Sequence, residues 1–292
     1  MALIVPAYAK LNLTLDVVAR RPDGYHDIDS VMQSISLHDL LWIERTDCRV
    51  FDVVGPPIEG DNLVLKAARE LEGATSRQLP FTIRLFKRIP MGAGLGGGSA
   101  DAAAFLKAAN QLYGLKLNAT ELAEIGERVG RDVPFFLTGG TARATGLGST
   151  LSPLRTLTGW TRFLVICPPI QVSTRTVYEA VDGRFQTGNR TPAVVEALSG
   201  TGPHPALPQR GRGTSGGDMS FGNDLEEITR NLYPDYDRAV EHARAIIPKL
   251  TMTGTGAALF AAFDDPTAAS AAFASVRPLG YPAWLVRPVA AA

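Results

Sequence analysis

Residues 87–101 read Lys-Arg-Ile-Pro-Met-Gly-Ala-Gly-Leu-Gly-Gly-Gly-Ser-Ala-Asp, and no other stretch constrains the chain as strongly. Five glycines fall within residues 92–98, so few Cβ atoms stand between the backbone amides and an anion. The apolar run 102–106 follows at once and predicts a helix, with Ser99 near its N-cap. A helix start carries unpaired N–H donors and a partial positive charge, and Lys87 and Arg88 add full charges close by. The stretch therefore predicts a phosphate cradle.

Gly92, Gly94 and Gly97 also satisfy the dinucleotide pattern G-x-G-x-x-G. That pattern requires a short turn from a buried strand and an acidic residue about 20 positions on, ending a second strand. Here polar, proline-bearing residues 87–90 intervene, and the next acidic residue after Asp101 is Glu121, inside a predicted helix. The P-loop pattern fails as well, because no Lys-Ser or Lys-Thr follows the glycines.

Around the cradle, residues 10–17 alternate apolar and polar and predict a half-buried strand. Leu11, Leu13, Leu15 and Val17 form its core face, and Lys10, Asn12 and Thr14 its solvated face. Residues 20–27 read as a turn built on Pro22-Asp23-Gly24, with Tyr25 and His26 placed to stack on and hydrogen-bond a flat ligand. Strand patterns follow at 34–40, 41–44, 49–54 and 81–86, with a helix over 61–72 that Gly73 stops. A second helix begins at Asn118, with Glu121 as its capping-box partner, and ends at Gly130. Asp132 lies beyond that end, and Pro134 predicts an extended Val133 beside it.

Farther on, residues 163–166 predict a buried strand, and a loop containing Thr176 leads into a short helix containing Tyr178. Residues 201–217 are nearly all Pro, Gly and polar, and predict a mobile insertion at about 200–218 that forms no core. His204 within it is too isolated for a metal ligand. Asn223-Asp224 caps a helix, a longer one covers 234–247, and a second glycine cluster, Thr253-Gly254-Thr255-Gly256, precedes a strand over 259–263. A last helix at 266–276 and a strand at 283–286 close the pattern.

The 29 basic residues balance the 29 acidic ones, which argues against nucleic acid or an anionic membrane surface as partner. Cys48 and Cys167 make neither a disulfide framework nor a zinc pattern. No basic, apolar leader and no run of about 20 apolar residues appears, so a cytoplasmic protein is expected.

The 90–99 loop, Ala9-Lys10-Leu11-Asn12-Leu13 and the 253–256 cluster together resemble the galactokinase, homoserine kinase, mevalonate kinase and phosphomevalonate kinase superfamily over nearly the whole chain. Residues 21–26, 130–136 and 222–226 look like the branch whose alcohol substrate carries a cytidine diphosphate group. Tyr8 departs from a pattern that usually carries a proline nearby.

The resemblance implies an α+β, two-domain kinase fold. Residues 1–155 would be a ribosomal-protein-S5-like ATP-binding and catalytic domain, and residues 156–292 a ferredoxin-like substrate domain, with the active site in the cleft between. It implies Asp132 and Lys10 as catalytic residues. Pro90, Met91, Gly92, Ala93, Gly94, Leu95, Gly96, Gly97, Gly98 and Ser99 would hold the phosphates of ATP, with Mg2+ bridging them and no protein metal ligand assigned. Asn62, Leu63 and Lys87 would surround adenine. Asn12, Tyr25, His26, Thr176 and Tyr178 would bind the small-molecule substrate, Tyr25 and Tyr178 sandwiching its cytosine. A monomer or weak homodimer is expected. A homoserine or mevalonate kinase, or a nucleotide-binding protein without chemistry, are the alternatives; Tyr25-His26 and the Asp132 segment oppose the first, and Lys10 with Asp132 the second.

Overall fold

The computed structural model describes residues 1–57, 61–157, 161–181, 188–200 and 220–291. The chain opens with two long strands, β1 (Ala2–Arg20) and β2 (His26–Arg45), then β3 (Val50–Val54), helix α1 (Leu63–Thr75) and β4 (Phe81–Phe86). Three helices follow, α2 (Gly97–Leu112), α3 (Ala119–Val129) and α4 (Val133–Thr138), then a hairpin of β5 (Thr141–Gly146) and β6 (Thr150–Leu154). Next come β7 (Arg162–Ile166), α5 (Thr174–Glu179), α6 (Thr191–Ser199), β8 (Gly222–Asn223), α7 (Leu225–Leu232) and α8 (Pro234–Ile246). The chain closes with β9 (Thr251–Met252), β10 (Leu259–Phe263), α9 (Pro266–Val276) and β11 (Ala283–Val286).

Two compact units are formed. The first comprises Met1–Ala9, Leu37–Met91 and Gly96–Gly139; the second comprises Lys10–Ser36, Gly92–Leu95 and Gly140–Ala292. In the first, β4 pairs antiparallel with the later half of β2, Leu41 opposite Leu85, and parallel with the edge strand β3. Its core joins sheet to helix: Phe81 of β4 meets Phe105 of α2 edge to face, ring centroids 5.1 Å apart. In the second, the early half of β2 pairs with β5, and a four-stranded antiparallel sheet runs in the order β11-β7-β10-β9. Leu164 and Ile166 of β7, Leu259 of β10, and Tyr236 and Val240 of α8 share its core.

Several expectations are corrected. The strand predicted over 10–17 extends over Ala2–Arg20, more than twice that length, and its polar face is buried: Lys10, Asn12, Thr14 and Asp16 are each at most 4% exposed. Polar side chains can be buried when hydrogen-bonded, and these are. Asn12 Nδ2 donates to Ser30 Oγ (2.7 Å), the Thr14 and Thr191 hydroxyls pair at 2.8 Å, and Asp16 accepts from the Thr191 backbone amide at 2.7 Å. Gly73 does not stop α1, which ends at Ser76 in the left-handed region. Val133 is helical rather than extended, because Pro134 stands in the first turn of α4, where its missing N–H costs nothing.

Helix α6 lies where the sequence predicted no element, just before the expected insertion. The expected insertion at 200–218, with His204, falls almost wholly outside the described residues. The capping box of Asn118 and Glu121 is present, and Asn223 accepts the Leu225 amide at 2.9 Å at the start of α7. Among the described residues no helix is long and apolar enough to cross a membrane.

Candidate active site

Helix α2 begins three residues earlier than expected. Gly96, not Ser99, is its N-cap, at φ +72°, a conformation that carries no steric penalty only for glycine. The first ladder bond joins the Ala100 amide to the Gly96 carbonyl (2.9 Å), so the amides of Gly97, Gly98 and Ser99 precede the ladder. With no side-chain cap at this end, these donors and the helix dipole favour an anion.

Within the first unit, three helix ends meet here. Asn62 caps α1 by accepting the Val64 amide at 2.8 Å. A Cβ on Gly98 would sit 3.5 Å from Leu63 Cδ1, and one on Gly130 would sit 3.7 Å from Ser99 Oγ and 4.0 Å from the same Leu63 atom. Asn62, Leu63, Gly98, Ser99 and the turn carrying Asp132 are therefore neighbours, although far apart in sequence. Asp132 is the N-cap residue of α4, yet its carboxylate makes no capping hydrogen bond, and among the described residues no ion pair. It is half-buried and available to a ligand.

Lys87 is placed differently from a residue facing a ligand. Its side chain is 4% exposed, and its ammonium donates to Asp39 and, at 2.7 Å, to Asp101 Oδ2. Burial, opposed by Lys87 and reinforced by Asp39, pushes the Asp101 carboxyl up to about 8. Asp101 is thereby shifted toward its protonated form, and it accepts the Lys87 ammonium through Oδ2. Neither aspartate was singled out from the sequence, since an aspartate on a strand or in a helix carries no mark of burial.

In the second unit, the other predicted catalytic residue sits on a braced strand. The Lys10 ammonium donates to Asn12 Oδ1, and the Lys10 amide donates to the Leu95 carbonyl at 3.0 Å. The Asn12 amide donates to the Thr253 hydroxyl at 2.8 Å. Residues 253–256 pack directly on the first glycine loop: a Cβ on Gly94 would fall 2.2 Å from the Thr253 carbonyl oxygen, and one on Gly254 would fall 2.9 Å from Gly94 Cα. The Ala258 amide donates to the Ala93 carbonyl at 3.2 Å. Asn223 anchors the second cluster, donating to the carbonyls of Gly254 (2.7 Å) and Met252 (3.1 Å). The roles of Thr253 and Asn223 were not expected, because hydroxyl and amide partners depend on register.

The remaining predicted residues form an aromatic group. His26 is buried, its ring 5.9 Å from that of Tyr178 and tilted by 30°. Among the described residues His26 Nε2 has no hydrogen-bond partner. Burial, then the Arg20 charge, holds His26 below its usual value, so it is neutral at pH 7. Tyr25 is 54% exposed, and Thr176 is exposed two residues before Tyr178 on α5. The ring of Tyr178 lies against that of His26, so the imidazole belongs to the aromatic group.

A family model described as the GHMP kinases N terminal domain matches residues 62–140. A relative from Marinobacter nauticus, described as 4-diphosphocytidyl-2-C-methyl-D-erythritol kinase, is 37% identical over 271 residues, covering 91% of this chain and 87% of its own. One from Burkholderia ambifaria with the same description is 38% identical, with coverage of 94% and 90%. A crystal structure of 4-(cytidine 5'-diphospho)-2C-methyl-D-erythritol kinase aligns with a TM-score of 0.77 at 33% identity, covering 97% of this chain and 98% of that one. Homoserine kinase from Cytophaga hutchinsonii aligns with a TM-score of 0.68 at 16% identity, a likeness of fold alone.

Proposed function

We propose, from the premise that the chain belongs to the 4-diphosphocytidyl-2-C-methyl-D-erythritol kinase family, that it phosphorylates the 2-hydroxyl of that cytidylated alcohol with ATP. The products are the 2-phosphate and ADP, in the non-mevalonate route to isoprenoid precursors. The chain is a small-molecule kinase with the GHMP fold.

Phosphoryl transfer depends mainly on positioning and charge stabilisation. The amides at the start of α2 hold the phosphates of ATP, with the rest of the 90–99 loop around them; the uncapped helix end supports this. Asn62 and Leu63 flank adenine, consistent with their place beside Gly98. The resemblance adds Lys87 to that set, but two aspartates already hold its ammonium, which leaves its aliphatic stem and backbone carbonyl for such a contact.

Asp132 accepts the proton of the substrate hydroxyl. The observation that carries this is its uncommitted carboxylate in the turn beside Ser99. Lys10, held by Asn12, stabilises charge on the transferring oxygens, and Asn12 holds the same part of the substrate. Tyr25 and Tyr178 stack on cytosine, Thr176 supplies a hydroxyl nearby, and neutral His26 reads the polar edge of the base through its unpartnered nitrogen.

Magnesium fits this set. It is a hard ion that takes few protein ligands beside phosphate oxygens and water, and the Ser99 hydroxyl is an oxygen donor next to the phosphate-binding amides. When bound it neutralises phosphate charge.

An ATP-consumption assay with the cytidylated methylerythritol beside homoserine and mevalonate tests the reading. Turnover with the first alone is expected; turnover with either of the others in its place overturns it. Asp132→Ala lowers kcat by about 10²–10⁴, and near-normal turnover would remove Asp132 as the base.

A further inference from the structure

Lys87 and Asp101 stand at the two ends of the glycine loop, fourteen positions apart, and their side chains meet at 2.7 Å. Asp39 pins the entrance: one carboxylate oxygen accepts the amides of Arg88 and Ile89 (2.8 Å for Ile89), and the other accepts the Lys87 ammonium. The Lys87 amide is held in turn by the Val54 carbonyl at 3.0 Å. A Cβ on Gly97 would lie 3.3 Å from Lys87 Nζ and 3.0 Å from Ile89 Cγ2, so the clasp lies directly under the first turn of α2. Asp39 and Asp101 are 0% and 2% exposed, and solvent does not compete for these contacts.

We propose that Asp39, Lys87 and Asp101 are positioning residues that staple the base of the phosphate-binding loop, so that Lys87 acts on ATP through the phosphates and not through the base. The staple rests on the reading that the phosphates of ATP lie at the start of α2. Closing a flexible loop removes conformational freedom that a ligand would otherwise have to remove on binding. The amides of Gly97, Gly98 and Ser99 are thereby held in place before ATP arrives.

Titration calorimetry on the full chain with ATP and with inorganic tripolyphosphate tests this. Asp101→Leu breaks the clasp and leaves the Lys87–Asp39 pair balanced. It is expected to weaken both ligands by the same factor, about tenfold. Asp101→Asn keeps an oxygen acceptor for Lys87 and is expected to restore both to within about threefold of the natural protein. Melting temperatures identify variants that fold. If Asp101→Leu does not fold, Asp39→Asn, which keeps one acceptor for the two amides and turns an NH2 toward Lys87, must show the same equal loss. Weaker ATP binding with unchanged tripolyphosphate binding would make Lys87 a reader of the base and overturn the staple, as would no change for either ligand. Failure of the natural protein to bind either ligand would overturn the phosphate-loop reading itself.

Discussion

The two glycine clusters have similar compositions and opposite surroundings. In the first, Gly92 and Gly98 are exposed and the start of α2 has no side-chain cap, whereas residues 251–260, which contain the second, are all buried. Gly94 and Gly254 bring the two backbones into contact, each lacking a Cβ because the other chain occupies its place. Glycine thus serves two purposes a few ångströms apart. In the first cluster it leaves the amides at the start of α2 without a side-chain cap; in the second it lets one loop support another. The supports differ too: the first loop is held at its base by an ammonium and two carboxyl groups, the second by the amide of Asn223.

The sharpest way to break the comparison is at the contact itself. Gly94→Ala places a methyl group 2.2 Å from the Thr253 carbonyl oxygen at φ +74°, and backbone on both sides leaves little room to yield. A loss of more than about 4 kcal/mol in denaturant unfolding, with loss of kinase activity, is expected. Near-normal stability would mean that the loops do not bear on each other.

Next is the second cluster's anchor. Asn223→Ala leaves two carbonyls and the Leu225 amide without partners in a buried place, and should cost about 3 kcal/mol. A loss under about 0.5 kcal/mol would show that the cluster holds its shape unaided.

Gly92→Ala is the matched control for Gly94→Ala. Gly92 has φ +64° but nothing within 4 Å of a Cβ, so only backbone strain of about 1 kcal/mol is expected. A cost equal to that of Gly94→Ala would erase the distinction between open and packed glycines.

The smallest effect separates the two supports by pH. Asp101 holds its proton up to about 8 in the folded protein, against an ordinary value of 3.8. Between these values the folded state binds more protons than the unfolded chain, so this contribution is full below about pH 4 and is lost as pH rises toward 8. Asp101→Asn should flatten the fall in melting temperature over that window, while the cost of Asn223→Ala should not change with pH. An unchanged pH profile in Asp101→Asn would show that another group titrates there.

Much of the fold was legible in the sequence because it rests on local rules. The helix over 266–276 and the strands over 259–263 and 283–286 matched to the residue, as their apolar patterns lie between clear breaks. The N-cap of α2 was misplaced because Ser99 is the commoner capping residue, and nothing local reveals that Gly96 takes a left-handed turn. Val133 was read as extended from its proline neighbour, a preference that a helix start overrides. The polar face of β1 was expected in water because alternation cannot tell solvent from a hydrogen-bonded interior.

The same division runs through the candidate site. From the sequence alone came the candidate phosphate-binding loop, Lys10 and Asp132 as candidate catalytic groups, and the aromatic pair Tyr25-His26, each marked by spacing or by resemblance. Tertiary structure alone decided that Lys87 is clasped by Asp39 and Asp101, that Thr253 holds the Asn12 amide, and that Asn223 anchors the second glycine cluster. Those contacts join residues from 14 to 241 positions apart. Glycine content and helix caps follow from neighbours along the chain, but the partner of a buried charge or amide is set only when distant segments are packed together.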